Sequence, residues 1–214
     1  TTSEMIWGCL SLALCLLAPF SPLLLEYIKI LCGCQCENAR DAITKDPLAK
    51  CFMPGVPRAN YLPFPFQIVQ SRDVILLAYE FAESNRIVYV DQPEIVSQVD
   101  AWMGHSNATW EGDTLVITVT GQMEDTWFDR AGNFHSFEMV VEERWTPGGP
   151  NHINYSATIT DPNTFTEPWT VSFPLYRHVQ DDMQLLEFKC VEFAEEYMYG
   201  EWRKEGTPVG NPSQ

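Results

Sequence analysis

Two histidines and two carboxylates are the residues of this chain whose types and spacing could perform chemistry. His105 and His135 each precede a serine, and either could serve as a general base or a metal ligand. Glu111 and Asp113 flank Gly112 and could act as an acid–base pair. We keep these four residues as an alternative site that requires the fold to bring them together. The simpler reading is a hairpin turn at Gly112 with two structural histidines.

Sequence motifs of the common catalytic and cofactor-binding classes are absent. The chain contains no P-loop, GxGxxG, HExxH, GxSxG or CxxCH pattern, so we expect a non-catalytic protein without a cofactor. Lys and Arg number 13 against 29 Asp and Glu, for a net charge of −16. Because a phosphate backbone requires a basic surface, this balance argues against nucleic-acid binding; the excess acid allows a basic partner or serves solubility alone.

Alternating apolar residues and regularly spaced turns predict an all-β domain. Residues 114–120 and 153–160 alternate between apolar and polar side chains, and Gly-, Asn- and Asp-rich turns separate such segments. We expect an antiparallel meander that closes as a lipocalin-like barrel or a two-sheet sandwich. The predicted strands lie at 67–81 (two strands with a turn at 71–73), 86–91, 114–120, 136–145, 153–160, 169–177 and 184–190, followed by a helix at 191–204.

An uncharged segment at the start of the chain predicts a membrane anchor. Residues 5–25 carry no charge, and a helix of that length, at about 1.5 Å per residue, spans the hydrocarbon of a bilayer. The leader TTSE lacks the basic residues of a signal peptide, so we expect a retained transmembrane helix. Its membrane-contacting residues are expected to be Trp7, Leu12, Leu16, Phe20 and Leu23. The predicted organisation is an anchor (1–30), a connector (31–50), a β-domain (51–204) and a coil (205–214).

The cysteines indicate on which side of the membrane the β-domain lies and which residues could be modified. Cys51 opens the predicted β-domain and Cys190 nearly closes it, which is consistent with a disulfide in an oxidising compartment or with two free thiols. Basic residues that follow the anchor favour a cytoplasmic domain instead. Beside the membrane, a Cys-x-Cys-x-Cys run could carry lipid or bind metal; we expect no metal, because further ligands at suitable spacing are lacking. That run consists of Cys32, Cys34 and Cys36.

Several segments resemble a family of exported, uncharacterised bacterial proteins. The similarity covers about residues 46–192. It runs from KCFMPGVPR through GHSNATWEGDTLVITVTG and TWFDRAGNFHSFEMVVEERW to ATITDPNTFTEPWTV and Cys190. The resemblance implies an extracytoplasmic all-β domain without an established activity, and it favours the periplasmic side for residues 51–204.

The combination of such a domain with a retained anchor resembles accessory subunits of the photosynthetic reaction centre–light-harvesting complexes of Gemmatimonas-like bacteria. It implies a single-pass inner-membrane protein whose periplasmic domain braces neighbouring subunits. The expected partners are subunits of that complex, the lipid bilayer and a basic electron carrier. The alternative is a tethered periplasmic β-barrel that binds a small apolar ligand or is an uncharacterised enzyme.

Overall fold

The described part of the chain forms one eight-stranded sheet. A computed structural model describes residues 45–93, 99–188 and 190–191, together with Asn38. The sheet curls into a half-barrel, and the described residues contain very little helix, which confirms the all-β prediction. The strands are β1 (Phe66–Gln70), β2 (Val74–Tyr79), β3 (Asn85–Val90), β4 (His105–Glu111), β5 (Thr114–Thr120), β6 (Val140–Gly149), β7 (His152–Thr160) and β8 (Trp169–Tyr176). The short helix α1 (Arg58–Tyr61) and 3₁₀ turns at Pro47–Lys50 and Phe81–Glu83 complete the regular structure.

The strands follow one another across the sheet in chain order. Every neighbouring pair is antiparallel, as the meander predicts, except β3 and β4, which pair in parallel with Val88 opposite Ser106. Parallel neighbours need a crossover of about a dozen residues, and residues 91–104 supply it. Strand β4 is absent from the predicted strands, because its polar sequence, HSNATWE, is typical of a turn.

The sheet ends in two edges instead of closing. Within the described residues, β1 pairs only with β2 and β8 pairs only with β7. The half-barrel is therefore neither the closed barrel nor the two-sheet sandwich that the sequence suggested.

The expected strand at 184–190 is a connecting segment. Residues 177–188, here called the strap, lead from the end of β8 back to the β1–β2 side. The Leu186 amide donates to Glu80 Oε2 at 2.9 Å, and the Phe188 ring packs 4.6 Å from that of Phe81. These contacts hold residues 186–188 against the β1–β2 side of the sheet. The described residues of the strap make no backbone ladder with a strand and are therefore not part of the sheet.

The concave face of the sheet holds the core. Inward side chains alternate along each central strand, as expected for a half-buried strand. The alternation predicted for β7 is confirmed, and in β5 the predicted inward residues Leu115, Ile117 and Val119 are buried, but Val116 on the opposite face is buried as well. The core also includes Ile75, Leu77, Tyr79, Val88, Val90, Leu115, Val119, Val141, Trp145, Tyr155 and Ala157.

A segment preceding β1 packs into one end of the half-barrel. Asp46 and Arg58 form a buried bidentate ion pair, with Nη1–Oδ1 at 2.9 Å and Nη2–Oδ2 at 2.7 Å. Asp46 also accepts from the Leu48 amide at 3.0 Å, which fixes the start of the first 3₁₀ turn. These contacts place Asn60, two residues along α1, inside the core.

Several predictions concern residues outside the described ranges. The anchor at 5–25, the cysteines Cys32, Cys34 and Cys36, and the coil at 205–214 all lie there, as does the helix at 191–204 beyond its first residue. Among the described helices, none has the length and apolar character needed to cross a membrane.

A disulfide joins Cys51 to Cys190, with Cα atoms 5.5 Å apart and a separation of 139 positions along the chain. Because it closes so long a loop, replacing both cysteines with alanine is expected to lower the free energy of unfolding by roughly 3–5 kcal/mol. Urea denaturation followed by tryptophan fluorescence measures this loss. Equal stability of the oxidised protein and the double variant would contradict the prediction.

Candidate functional site

Three residues of the alternative site lie in the β4–β5 hairpin, and the fourth, His135, lies in the loop between β5 and β6. His105 begins β4 and Glu111 ends it, so about 20 Å of extended strand separates them. Asp113 lies in the turn beside Glu111, where Gly112 adopts φ +62°. The turn is therefore confirmed, and the structure does not bring the carboxylates to His105.

Local contacts occupy the exposed members of this set. His105 Nε2 lies 2.9 Å from the carbonyl oxygen of Val99, and Glu111 accepts a hydrogen bond from Arg144 at 2.6 Å on the solvent face of the sheet. An exposed ion pair of this kind contributes little to stability. Neither residue faces a catalytic partner among the described residues.

His135 is buried in a hydrogen-bonded loop network. Its Nδ1 donates to the carbonyl of Ser136 at 2.9 Å, so its neutral form presents Nε2 as an acceptor. The Thr126 hydroxyl lies 2.7 Å from Nε2, and the Gln122 amide lies 3.3 Å away. Burial lowers the pKa of His135, and the hydrogen bond to Ser136 only partly offsets that effect. The hydrogen bonds of His135 thus connect the two ends of the 122–135 loop.

Gln122 connects this loop to the segment that precedes β1. Its Oε1 accepts from the Val56 amide at 2.9 Å, while its amide donates to Thr126 at 2.8 Å. Gly55 passes so close that a Cβ there would lie 2.5 Å from Gln122 Nε2, and its φ is +71°. Only glycine fits this approach without strain.

A fully buried ion pair lies at the centre of the concave face. Arg86 on β3 donates through Nη2 to Glu143 Oε2 on β6. The other carboxylate oxygen accepts from Asn60 at 2.9 Å and from the Tyr155 hydroxyl at 2.7 Å. The carboxylate of Glu143 therefore has a donor on each oxygen, as a buried charge requires.

The surroundings keep the protons on Arg86 and on the two tyrosines of this cluster. Burial by itself lowers the pKa of Arg86, but the adjacent Glu143 carboxylate raises it above the ordinary value. Burial raises the pKa of Tyr79 and of Tyr155, so both phenols remain donors. Tyr79 donates to Asn60 Oδ1 at 2.8 Å, and Arg86 Nε donates to Ser106 Oγ at 2.7 Å. Arg86 Nη1 alone has no acceptor among the described residues.

Sequence reasoning missed this cluster, although a signal was present. Arg86 is in phase with the inward Val88 and Val90, and Glu143 is in phase with the inward Val141 and Trp145. A charge at an inward position of an alternating strand predicts a buried partner of opposite sign. The pairing itself depends on β3 and β6 facing each other across the curl, which sequence does not reveal.

A cleft of about 1110 Å³ opens above the cluster, between β1, the β6–β7 hairpin, the end of β8 and the strap. Asn60 and Trp145 belong to both the cleft and the core. Among the described residues no aspartate or glutamate lines the cleft, although the chain carries a net charge of −16. Its ionisable lining residues are Arg177, His152 and His178.

A smaller cavity of about 120 Å³ adjoins the cleft. Asp113 is its one charged lining residue, whereas Ile68, Trp145 and Ile153 line both spaces. The cleft and this cavity together form a largely apolar depression, here called the apolar trough, which begins at β1. In the described part of the chain, no group of three or more His, Cys, Asp or Glu side chains could hold a metal ion.

Comparisons of this chain with protein-family models, with curated proteins and with solved structures find no match. We therefore infer function from the sequence and from the geometry of the site.

Breaking the central ion pair is expected to be costly. Glu143→Gln leaves the Arg86 guanidinium buried without a counter-charge, so the free energy of unfolding should fall by about 3–5 kcal/mol. The adjacent Glu142→Gln changes an exposed carboxylate and should cost less than about 0.5 kcal/mol. The double variant Arg86→Met/Glu143→Leu removes the unpaired charge and should recover part of the loss, because Asn60 and the Tyr155 hydroxyl still lack their acceptor. Equal urea midpoints for Glu143→Gln and Glu142→Gln would refute this assignment.

The depressed pKa of His135 predicts a pH-dependent stability. The unfolded chain takes up a proton near pH 6.5 while the folded protein does not, so stability is present above pH 6.5 and is lost as pH falls below it. His135→Gln removes the titration and should flatten this part of the stability profile between pH 7 and pH 5. His178→Gln, at an exposed position, should leave the wild-type profile intact. A wild-type slope in His135→Gln would assign the pH dependence to another group.

Proposed function

We propose that this chain is a non-catalytic accessory subunit of a bacterial membrane complex. The observation that carries the proposal is that the groups capable of chemistry are separated or already paired. His105 lies at the opposite end of β4 from Glu111, His135 joins a loop network, and Arg86 and Glu143 neutralise each other in the core. These five residues therefore form no reactive set with one another.

The disulfide supports a periplasmic location for the β-domain. Bonds such as Cys51–Cys190 persist in oxidising compartments and are rare where thiols are kept reduced. The uncharged residues 5–25 would form the single inner-membrane helix, whose side chains pack against other helices of the complex.

We take the best assembly to be a photosynthetic reaction centre–light-harvesting complex, on the sequence resemblance set out above. The β-domain would brace neighbouring subunits on the periplasmic surface. The net charge of −16 would also favour docking of a basic soluble electron carrier, because complementary fields accelerate encounter.

The cleft favours a second candidate function, a tethered domain that binds a small apolar ligand. Its volume of about 1110 Å³ is at the upper end of ligand pockets, and its walls are rich in apolar and aromatic side chains. Native mass spectrometry of the purified full chain should then reveal a bound small molecule. An accessory subunit requires no such adduct.

Charged substitutions in the anchor test the leading proposal. The variant Leu12→Glu/Leu16→Glu/Leu23→Glu places three carboxylates in the bilayer, at a cost of about 2–3 kcal/mol each, and should release the protein from the complex. The matched variant Leu12→Ile/Leu16→Ile/Leu23→Ile should remain. Sedimentation of native membranes in mild detergent, with mass spectrometry of each fraction, measures retention.

The wild-type chain should sediment with a large pigmented complex at fixed stoichiometry. Retention of the glutamate variant in that complex would overturn the role of residues 5–25. Sedimentation of the wild-type chain as a small free species would overturn the accessory role and favour the tethered ligand-binding domain.

A further inference from the structure

The free edge of β1 presents unpaired backbone groups. Ser71 N donates to Val74 O at 2.8 Å, and Glu80 N donates to Pro65 O at 3.1 Å. Because antiparallel ladders alternate, the odd-numbered residues of β1 bond to β2, whereas Phe66, Ile68 and Gln70 point their N–H and C=O groups away from it. No described strand pairs with these three residues.

The edge of β8 is protected, and the edge of β1 is not. Arg177 N donates to Asn151 O at 2.9 Å, so the ladder places Pro174 at a position whose backbone nitrogen faces the free edge. Proline has no N–H and blocks pairing there. The β1 sequence FQIVQ contains neither proline nor charge, and Ile68 and Val69 are 42% and 49% exposed. Natural edge strands usually avoid this composition.

The space beside this edge has the form of a slot. Phe66, Gln67 and Ile68 line the cleft on one side, and Leu175, Tyr176 and residues 180 and 183–185 bound it on the other. The cleft of about 1110 Å³ leaves space beside β1 for an extended segment, with the end of β8 and the strap on its other side. A second copy of β1 would bring its own sheet into the strap.

We propose that β1 binds an extended segment of a partner protein by strand addition in this slot. The segment donates to and accepts from Phe66, Ile68 and Gln70, and it turns every second side chain toward the apolar trough around Trp145 and Ile153. Its side chains beside Arg177 are not Lys or Arg, because the described lining of the cleft offers Arg177 and two histidines, and Asp113 of the adjoining cavity is the one carboxylate of the trough among the described residues. An acidic side chain beside Arg177 is accepted.

This inference rests on the accessory role and names the chemistry of the partner. Glu80, Asp181, Asp182 and Glu187 lie in or next to the strap and do not line the cleft, and Asp113 lines only the adjoining cavity. The net charge of −16 would by itself favour basic peptides. A preference for neutral or acidic segments therefore separates binding in the slot from attraction to the general surface.

The experiment selects phage-displayed random nonapeptides on the full-length protein and measures synthetic versions of the enriched peptides by fluorescence anisotropy. The expected peptides have apolar residues at alternate positions. Replacing one polar residue with Lys should weaken binding at least fivefold, whereas Glu at that position should not. Methylation of alternate backbone nitrogens should abolish binding, because strand addition uses those groups.

A matched pair of variants in β1 tests the edge. Ile68→Pro removes an outward N–H that β2 does not use, so the fold should persist while peptide affinity falls at least tenfold. Ile68→Ala keeps that N–H and should lose less than threefold. Circular dichroism and urea midpoints confirm that both variants fold.

Three results would overturn the proposal: no enriched peptide, enriched peptides rich in Lys and Arg, or equal affinity for wild type and a folded Ile68→Pro variant. Co-sedimentation with the membrane complex is a separate readout. If Ile68→Pro still sediments with the complex but no peptide binds the slot, strand addition fails while the accessory role stands. If the wild-type chain sediments alone yet the slot binds peptides, strand addition stands while the accessory role fails.

Discussion

The buried carboxylate of Glu143 is the constraint on which the rest of the half-barrel depends. A charge with no exposed surface must be neutralised and hydrogen-bonded, and three different parts of the chain meet that requirement. Arg86 comes from β3, Tyr155 from β7 and Asn60 from α1. The sheet must therefore curl, and α1 must enter the concave face, before the charge is satisfied.

The segment that delivers Asn60 has its own supports. Asp46 holds Arg58 on one side, and Gln122 holds the Val56 amide on the other. The disulfide ties Cys51, in the same segment, to the end of the strap. One arrangement of residues 46–60 thus connects the central ion pair, the loop of His135 and the C-terminal side of the domain. These elements are expected to unfold together.

The same architecture explains why the half-barrel remains open. Pro174 removes a donor from the free edge of β8, so pairing of a further strand is hindered at that edge. The edge of β1 lacks such protection and borders the cleft. The same fold is therefore stable and leaves the edge of β1 open for a partner segment.

The sequence by itself determined the all-β class, most strand positions and the turn at Gly112, because alternation and turn chemistry are local properties. It also singled out Cys51 and Cys190 as a pair that could be bridged. Tertiary structure alone decided the separation of His105 from Glu111, the partnership of Arg86 with Glu143 and the parallel pairing of β3 with β4. These features depend on which strands become neighbours and on how far the sheet curls. Residues distant along the chain set both, so no local pattern encodes them.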